Sequence, residues 1–454
     1  MMTVLNIRGK LGLSEVVDTG DSPQEFVGEN PRIDNKFEYD IAVIGLGPVG
    51  VRTLHNQCIS KERVLGFDAS ESRLAEVSSG SMSLSLLENK RIAHAMGAQL
   101  LTLTADPEEL AKAAVLIICV PTPVSEANVP DYSPLRDACG LVVNVVSPGQ
   151  LIVQTTTTYA GATRELIVEP LRNRTLVPGI DIHVAFSPEP ANVSISQQKN
   201  IHVPRLVGGY TTSCREAAVE FFGHGVFKFQ RTYGLEAAEM TKLFEAAFHT
   251  VKTALTSEFA QACTELDVPF EEVLESVNLN LDAVAGFTAG SGAGGYELTI
   301  GPHHILNQSQ AHGLQLPVLE AAVKSNKHRP AAVVERCVRV LVDLGKELSD
   351  SKVLIIGLSN YPDTADLSNS PGLEIMSLLL EAGAHVGFHD HHFAGPITLG
   401  DTHVSGYPNP HDFGADLIFL NTAHSHVDLS WISMTDTVID GTYRATGILN
   451  RVPL

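Results

Sequence analysis

The run Gly45-Leu46-Gly47-Pro48-Val49-Gly50 lies between an apolar stretch, Ile41–Ile44, and an amphipathic one, Val49–Cys58, and no other feature constrains the fold as much. A strand that ends in a glycine turn and leads straight into a helix is the opening of a dinucleotide-binding unit. Gly45 permits the tight turn, Gly47 lets backbone approach a pyrophosphate, and Gly50 allows the helix to pack closely on the sheet. Pro48 and Val49 complete the motif at the helix N-terminus, whose free N–H groups face the phosphates. Asp68 follows 23 positions after Gly45, at the end of a second apolar run, Arg63–Phe67. A carboxylate there accepts both ribose hydroxyls and repels a 2′-phosphate, which favours NAD over NADP. The alternation continues through Ala114–Val120 and Leu151–Gln154, the pattern of an open parallel sheet covered by helices on both faces.

The rest of the 454-residue chain fits a large enzyme. Its net charge of −21 repels nucleic acid and anionic membrane, so neither is an expected partner; a small-molecule substrate is. No uncharged apolar run approaches the roughly 20 residues of a membrane helix. No basic, apolar and small-residue series marks a signal peptide, and the cytoplasm is the expected compartment. The six cysteines, Cys58, Cys119, Cys139, Cys214, Cys263 and Cys337, are far apart and show no metal-finger spacing, as reduced, buried thiols do.

Four regions follow from the pattern. Residues 1–38 have no sustained period and read as a leader. Residues 39–230 form the NAD-binding domain. Residues 231–345 form a helical middle, opened by a long helix between Gly234 and Asp267 in which apolar residues such as Leu235, Met240, Phe244, Phe248, Leu255 and Phe259 recur at helical spacing. Residues 346–454 return to alternation, with strands at Val353–Gly357, Ala384–Phe388 and Ala415–Asn421 and a helix at Pro371–Ala382. The expected fold is therefore α/β, with two Rossmann-like, doubly wound domains joined by a long central helix and a helical middle domain.

Several ordered motifs resemble those of the UDP-glucose/GDP-mannose dehydrogenase family. Ile117-Ile118-Cys119-Val120-Pro121-Thr122-Pro123 resembles its third nucleotide-contacting segment, and Thr156-Thr157-Thr158-Tyr159-Ala160-Gly161 its Ser-Thr-x-x-Pro-Gly turn. Phe186-Ser187-Pro188-Glu189, Ala238-Glu239-Met240-Thr241-Lys242-Leu243, Gly290–Gly295 and Ser370-Pro371 extend the match to the C-terminal domain. The resemblance implies an NAD domain and a sugar-nucleotide domain joined by a helix that also forms a homodimer. It places Pro121, Thr122 and Thr157 at the cofactor, gives Thr157 and Glu189 the positioning of a catalytic water or of the nicotinamide side, and gives Lys242 an oxyanion or the alcohol proton.

Departures from the family pattern cluster where the chemistry should be. The family oxidises an alcohol to a carboxylate in two hydride steps, holding the aldehyde on a cysteine. Its Gly-Gly-His-Cys reads Gly294-Gly295-Tyr296-Glu297 here, so Glu297 stands where the thiol should be and is the candidate acid or base in its place. The Asn and Arg that follow the helix lysine become Ala246 and His249, the aspartate after the cysteine becomes Gly301, and the basic residue after Ser-Pro-Glu becomes Pro190. Ser359-Asn360 and Ser368 replace a Phe-Lys pair and an arginine, the two cations expected at a diphosphate.

A two-electron oxidoreductase follows from this set, acting on a hydroxyl of a sugar, sugar nucleotide or nucleoside-like substrate, or epimerising it with NAD retained. The alternatives are a non-catalytic NAD-binding paralogue that serves as a partner subunit, and the four-electron UDP-sugar 6-dehydrogenase itself. His303-His304 read as adjacent loop histidines, and His389, His391 and His392 around Asp390 as histidines at what the resemblance implies is a strand end; neither group reads as a metal site.

Overall fold

The structure is a computed structural model that describes residues 36–59, 62–82, 86–189, 204–223, 228–280, 289–393, 395–445 and 447–454, with Ile59, Leu86, Asn280 and Glu297 described by backbone alone. Almost all of the expected leader, and Pro190, lie outside the described residues.

The first sheet is built from β1 (Tyr39–Ile44), α1 (Pro48–Ile59), β2 (Val64–Phe67), α2 (Glu71–Ser79), α3 (Leu86–Gly97), β3 (Leu101–Thr104), β4 (Ala113–Ile118), α4 (Ser133–Val145), β5 (Leu151–Gln154), α5 (Glu169–Asn173), β6 (His183–Phe186), β7 (Arg205–Gly209), α6 (Thr212–Gly223) and β8 (Phe229–Arg231). The strand order is β3-β2-β1-β4-β5-β6-β7-β8, and every pairing is parallel except β6 with β7. Register pairs Ile41 with Val64 on one side and with Val115 on the other.

Continuous apolar strands are what a sheet covered on both faces requires. On β1, Ile41 and Val43 pack with Val51 and Leu54 of α1, while Ala42 and Ile44 pack on the opposite face with Leu135 and Val142 of α4. Each of these Ile, Val and Leu side chains contributes roughly 1.5–3 kcal/mol by leaving water. The order reverses between β1 and β4, so the switch point opens a crevice outside their carboxyl ends, the place where doubly wound sheets take ligands.

The middle region consists of α7 (Leu235–Glu265), α8 (Phe270–Asn280), α9 (Tyr296–Ala311) and α10 (Pro317–Asp343). The long helix forms where its periodicity predicts, and Leu235 and Leu243 are buried near its start, but from Ala246 onward the buried residues are small: Ala246, Thr250, Ala254, Ser257 and Ala260. Phe244, Phe248 and Phe259 point outward. Small side chains let α9 and α10 approach closely, which an aromatic stripe would prevent.

A second sheet follows from β9 (Lys352–Ile356), α11 (Pro371–Glu381), β10 (His385–His389), β11 (Ile397–Leu399), β12 (Thr402–Val404), β13 (Leu417–Leu420), β14 (Val438–Asp440) and β15 (Arg451–Pro453). Its order is β10-β9-β13-β14-β15, all parallel, with β11 and β12 as a separate hairpin. The local design of the first sheet recurs here. Gly357 ends β9 at φ +76°, and Asp390, one residue past β10, accepts the N–H groups of Leu358 at 2.6 Å and His392 at 2.7 Å.

Candidate active site

The glycine turn has the shape that a dinucleotide needs. Gly45 sits at φ +87°, a left-handed conformation that side chains resist, and a Cβ there would lie 2.7 Å from Val120 Cγ1. Gly50 backs directly onto the Gly45 carbonyl, leaving no room for a side chain. At Gly47 a Cβ would meet nothing within 4 Å, so that stretch of backbone faces open space at the mouth of the crevice. Pro48 opens α1, where its missing N–H costs nothing, and Val49 in the same turn is exposed. Asp68 Oδ2 accepts the Leu46 N–H at 2.8 Å and Oδ1 the Ser70 N–H at 2.9 Å, which ties the end of β2 to the turn. Each oxygen keeps a lone pair for a ribose hydroxyl. Turn, helix N-terminus and acid therefore fit NAD, which supplies a hydride acceptor when bound.

The remaining candidates stand along the carboxyl edge in strand order. Past β4, Pro121 is exposed and Thr122 buried; past β5, Thr157 is half-buried; past β6 comes Glu189. Thr122 Oγ1 donates to the Thr157 carbonyl at 2.8 Å, joining two of these strand ends. Glu189 is paired with Arg205 on β7 at 3.1 Å, and the same guanidinium donates to Ser187 Oγ at 2.9 Å. Arg205 carries no motif in the sequence, and only the antiparallel return of β7 brings it there.

Lys242 on α7 is 3% exposed, and its Nζ donates to the Glu189 carbonyl at 3.4 Å. Burial brings its ammonium down to about 8, against the opposing pull of Glu245 and Glu189. Thr157, Glu189 and Lys242 are thus gathered near one edge. Glu297 lies in the first turn of α9, and its side chain falls outside the described residues.

Two of the departures meet each other. A Cβ on Gly301 would lie 2.7 Å from the Ala246 Cβ, and Thr250 Oγ1 donates to the Leu298 carbonyl at 3.3 Å. The space that an asparagine on α7 and an aspartate on α9 would share is closed by contact between the helices. In the second sheet, the positions of the two missing cations are likewise joined: Asn360 Nδ2 donates to the Ser368 carbonyl at 2.6 Å, and Gly294 packs against the Asn360 side chain.

His303 and His304 sit within α9 and not on a loop, because the helix continues through Pro302. His304 is fully buried, with Nε2 3.3 Å from Thr122 Oγ1 and Nδ1 2.9 Å from the Tyr132 hydroxyl. Burial holds its imidazole down at about 4, helped by His303. The Thr122 N–H donates to the Tyr296 hydroxyl at 2.6 Å, and the two hydroxyls are 3.1 Å apart. Tyr296 belongs to a motif quoted above, but nothing in that motif signals that a buried histidine links it to Tyr132 at the start of α4. Among the described residues, no three His, Cys, Asp or Glu side chains are placed to hold a metal ion.

Comparison with known proteins decides the family. Residues 39–225 match the NAD-binding domain of the UDP-glucose/GDP-mannose dehydrogenase family, and residues 236–328 match its central domain. The chain belongs to this family. It is 29% identical over 410 residues to Protein CapL of Staphylococcus aureus, covering 88% of each chain. It is 28% identical over 410 residues to UDP-N-acetyl-D-mannosamine dehydrogenase of Pyrococcus horikoshii, covering 88% of this chain and 94% of that one. The solved structure of UDP-D-ManNAc dehydrogenase from Pyrococcus horikoshii superposes with a TM-score of 0.78 at 25% identity, over 91% of this chain and 98% of that one. NAD is the cofactor of this nucleotide-sugar dehydrogenase family, and no helix among the described residues is long and apolar enough to cross a membrane.

Proposed function

We propose that this member of the family carries out a two-electron oxidation of a hydroxyl on a sugar or sugar-nucleotide substrate and does not proceed to the carboxylate. The observation that carries the reading is the contact of Ala246 with Gly301, which fills the space between α7 and α9 next to the turn where the family's thiol would stand. The cysteines support it. All six are buried, and burial pushes the thiols of Cys58 and Cys119 up to about 11 and those of Cys139 and Cys337 up to about 12, far from the thiolate a nucleophile needs. In this reading Lys242 holds the developing oxyanion, Glu189 and Thr157 order the nicotinamide side, and the Gly45–Gly50 turn with Asp68 holds the dinucleotide. A second copy of the chain covers the outward aromatic face of α7.

The deciding experiment incubates the protein with NAD and UDP-N-acetyl-D-mannosamine, UDP-glucose, GDP-mannose and the corresponding free sugars, following NADH and product mass together. One NADH per sugar, or an isomer formed without net NADH, is expected. Two NADH per sugar with a carboxylate product would overturn the reading.

A further inference from the structure

Oxidation of an alcohol releases a proton as well as a hydride, and Lys242, charged at pH 7, is not free to take it. A chain of hydrogen bonds leads away from the crevice at the switch point. At its inner end the Tyr296 hydroxyl lies against the loop that follows β4, held by the Thr122 N–H. From there the chain passes to Thr122 Oγ1 at 3.1 Å, to His304 Nε2 at 3.3 Å, and from Nδ1 to the Tyr132 hydroxyl at 2.9 Å. Tyr132 borders an open cavity of about 360 Å³, shared with Arg136, Tyr159, Glu165 and Gln308. Four side chains from the β4 loop, the start of α4 and two turns of α9 thus connect the crevice to solvent through the sheet's helical cover.

We propose that Tyr296, Thr122, His304 and Tyr132 form a proton relay between the cofactor crevice and this cavity. The proposal rests on the dehydrogenase reading above. In the oxidising direction the substrate hydroxyl gives its proton to the Tyr296 oxygen, Tyr296 gives its own to Thr122 Oγ1, and the Thr122 hydroxyl, turning its proton from the Thr157 carbonyl toward His304, gives that proton to Nε2. His304 Nδ1–H passes to the Tyr132 oxygen, and the Tyr132 proton goes to water in the cavity. The electron pair leaves the carbon with the hydride, accepted by NAD, so alcohol and NAD become carbonyl, NADH and one released proton. Each relay group ends with as many protons as it began, and His304 changes from the Nδ1–H to the Nε2–H tautomer.

Two features suit the histidine to this task. It is neutral at pH 7, so either nitrogen can carry the single proton. In the Nε2–H tautomer Thr122 is also saturated: its oxygen accepts from His304 and Tyr296 while its proton goes to the Thr157 carbonyl at 2.8 Å. The two tautomers are therefore both hydrogen-bonded, one poised to export a proton and one poised to import it. In a hydride-out, hydride-in cycle the relay resets itself, because the proton that leaves in the first step returns in the second.

Tyr132→Phe removes one oxygen at the half-exposed end and tests the relay in the full chain, with whichever alcohol of the panel reacts. A fall in kcat of about tenfold or more is expected, with a larger solvent deuterium isotope effect and an unchanged Kd for NAD. In histidine-labelled protein, with His304→Gln used to assign the signal, nitrogen NMR should show His304 neutral at pH 7 and its Nδ1 resonance displaced by Tyr132→Phe. Wild-type kcat and isotope effect in Tyr132→Phe, or a charged His304 at pH 7, would overturn the relay and leave the dehydrogenase reading standing. A wild-type protein that binds NAD and oxidises none of the alcohols would overturn both.

Discussion

Lys242 and His304 are ionisable groups that the fold keeps from their usual charge balance, and each predicts a pH dependence. Lys242 faces Glu245, Glu189 and His249, and burial outweighs the two carboxylates to leave its ammonium titrating near 8. As an oxyanion holder it must be charged, so kcat should fall as pH rises through about 8. Lys242→Met should lower kcat about a hundredfold and remove that inflection. A kcat that instead rises through pH 8 would make Lys242 the proton acceptor and not the cation. His304 acts on stability. Its folded value of about 4 lies below the ordinary 6.5, so the unfolded chain takes up a proton that the folded one refuses. The full stability is present above pH 6.5 and is lost as pH falls toward 4, by about 3 kcal/mol in all. Urea midpoints measured at pH 7 and pH 4.5 should separate more for the wild type than for His304→Gln.

The helices α7 and α9 show which parts of the fold and site were legible in the sequence. The strand, glycine turn, helix and acid from Tyr39 to Asp68 are local, each residue meeting its role within a few neighbours, and they form as the pattern predicts. The helix α9 is not readable in this way, because glycines precede it and Gly301 and Pro302 lie inside it. Its stability comes from packing on α7, which no local propensity records. The inward face of α7 is misleading for the same reason: periodicity identifies a helix, but only the approach of α9 selects the small residues as the buried side. The site shows the same division, since Gly45, Gly47 and Asp68 announce themselves while Arg205 and His304 arrive by topology. Restoring the family's carboxylate with Gly301→Asp should therefore not restore its chemistry. The new side chain meets Ala246 and places a carboxylate between packed helices, with a cost of about 1–3 kcal/mol from overpacking alone. A lower melting temperature with NADH stoichiometry unchanged is expected, and a stable variant that makes two NADH per sugar would show that the closed helix contact does not limit the reaction.

At the scale of the whole molecule, the outward face of α7 is the feature that the single chain leaves unexplained. Met240, Phe244, Phe248, Leu255 and Phe259 are between 42% and 70% exposed and lie along one helix of 31 residues. Scattered apolar residues are ordinary on a surface, but an aligned row of this length is what an interface leaves when its partner is removed. In the homodimer proposed above, that partner is a second copy of the same helix. Each copy carries a net charge of −21, so association must gain enough from apolar burial to exceed long-range repulsion. Salt screens the repulsion and leaves the apolar contact in place. Sedimentation should then give about twice 48.7 kDa, with the dimer tightening as ionic strength rises from about 0.01 M to about 0.15 M. Phe244→Glu with Phe259→Glu should yield monomers that still bind NAD, because both side chains are exposed on α7, outside the Gly45–Gly50 turn and Asp68. A wild-type monomer at all salt concentrations would remove the dimer, whereas a dimer that weakens with salt would place its interface on charged surface elsewhere in the chain.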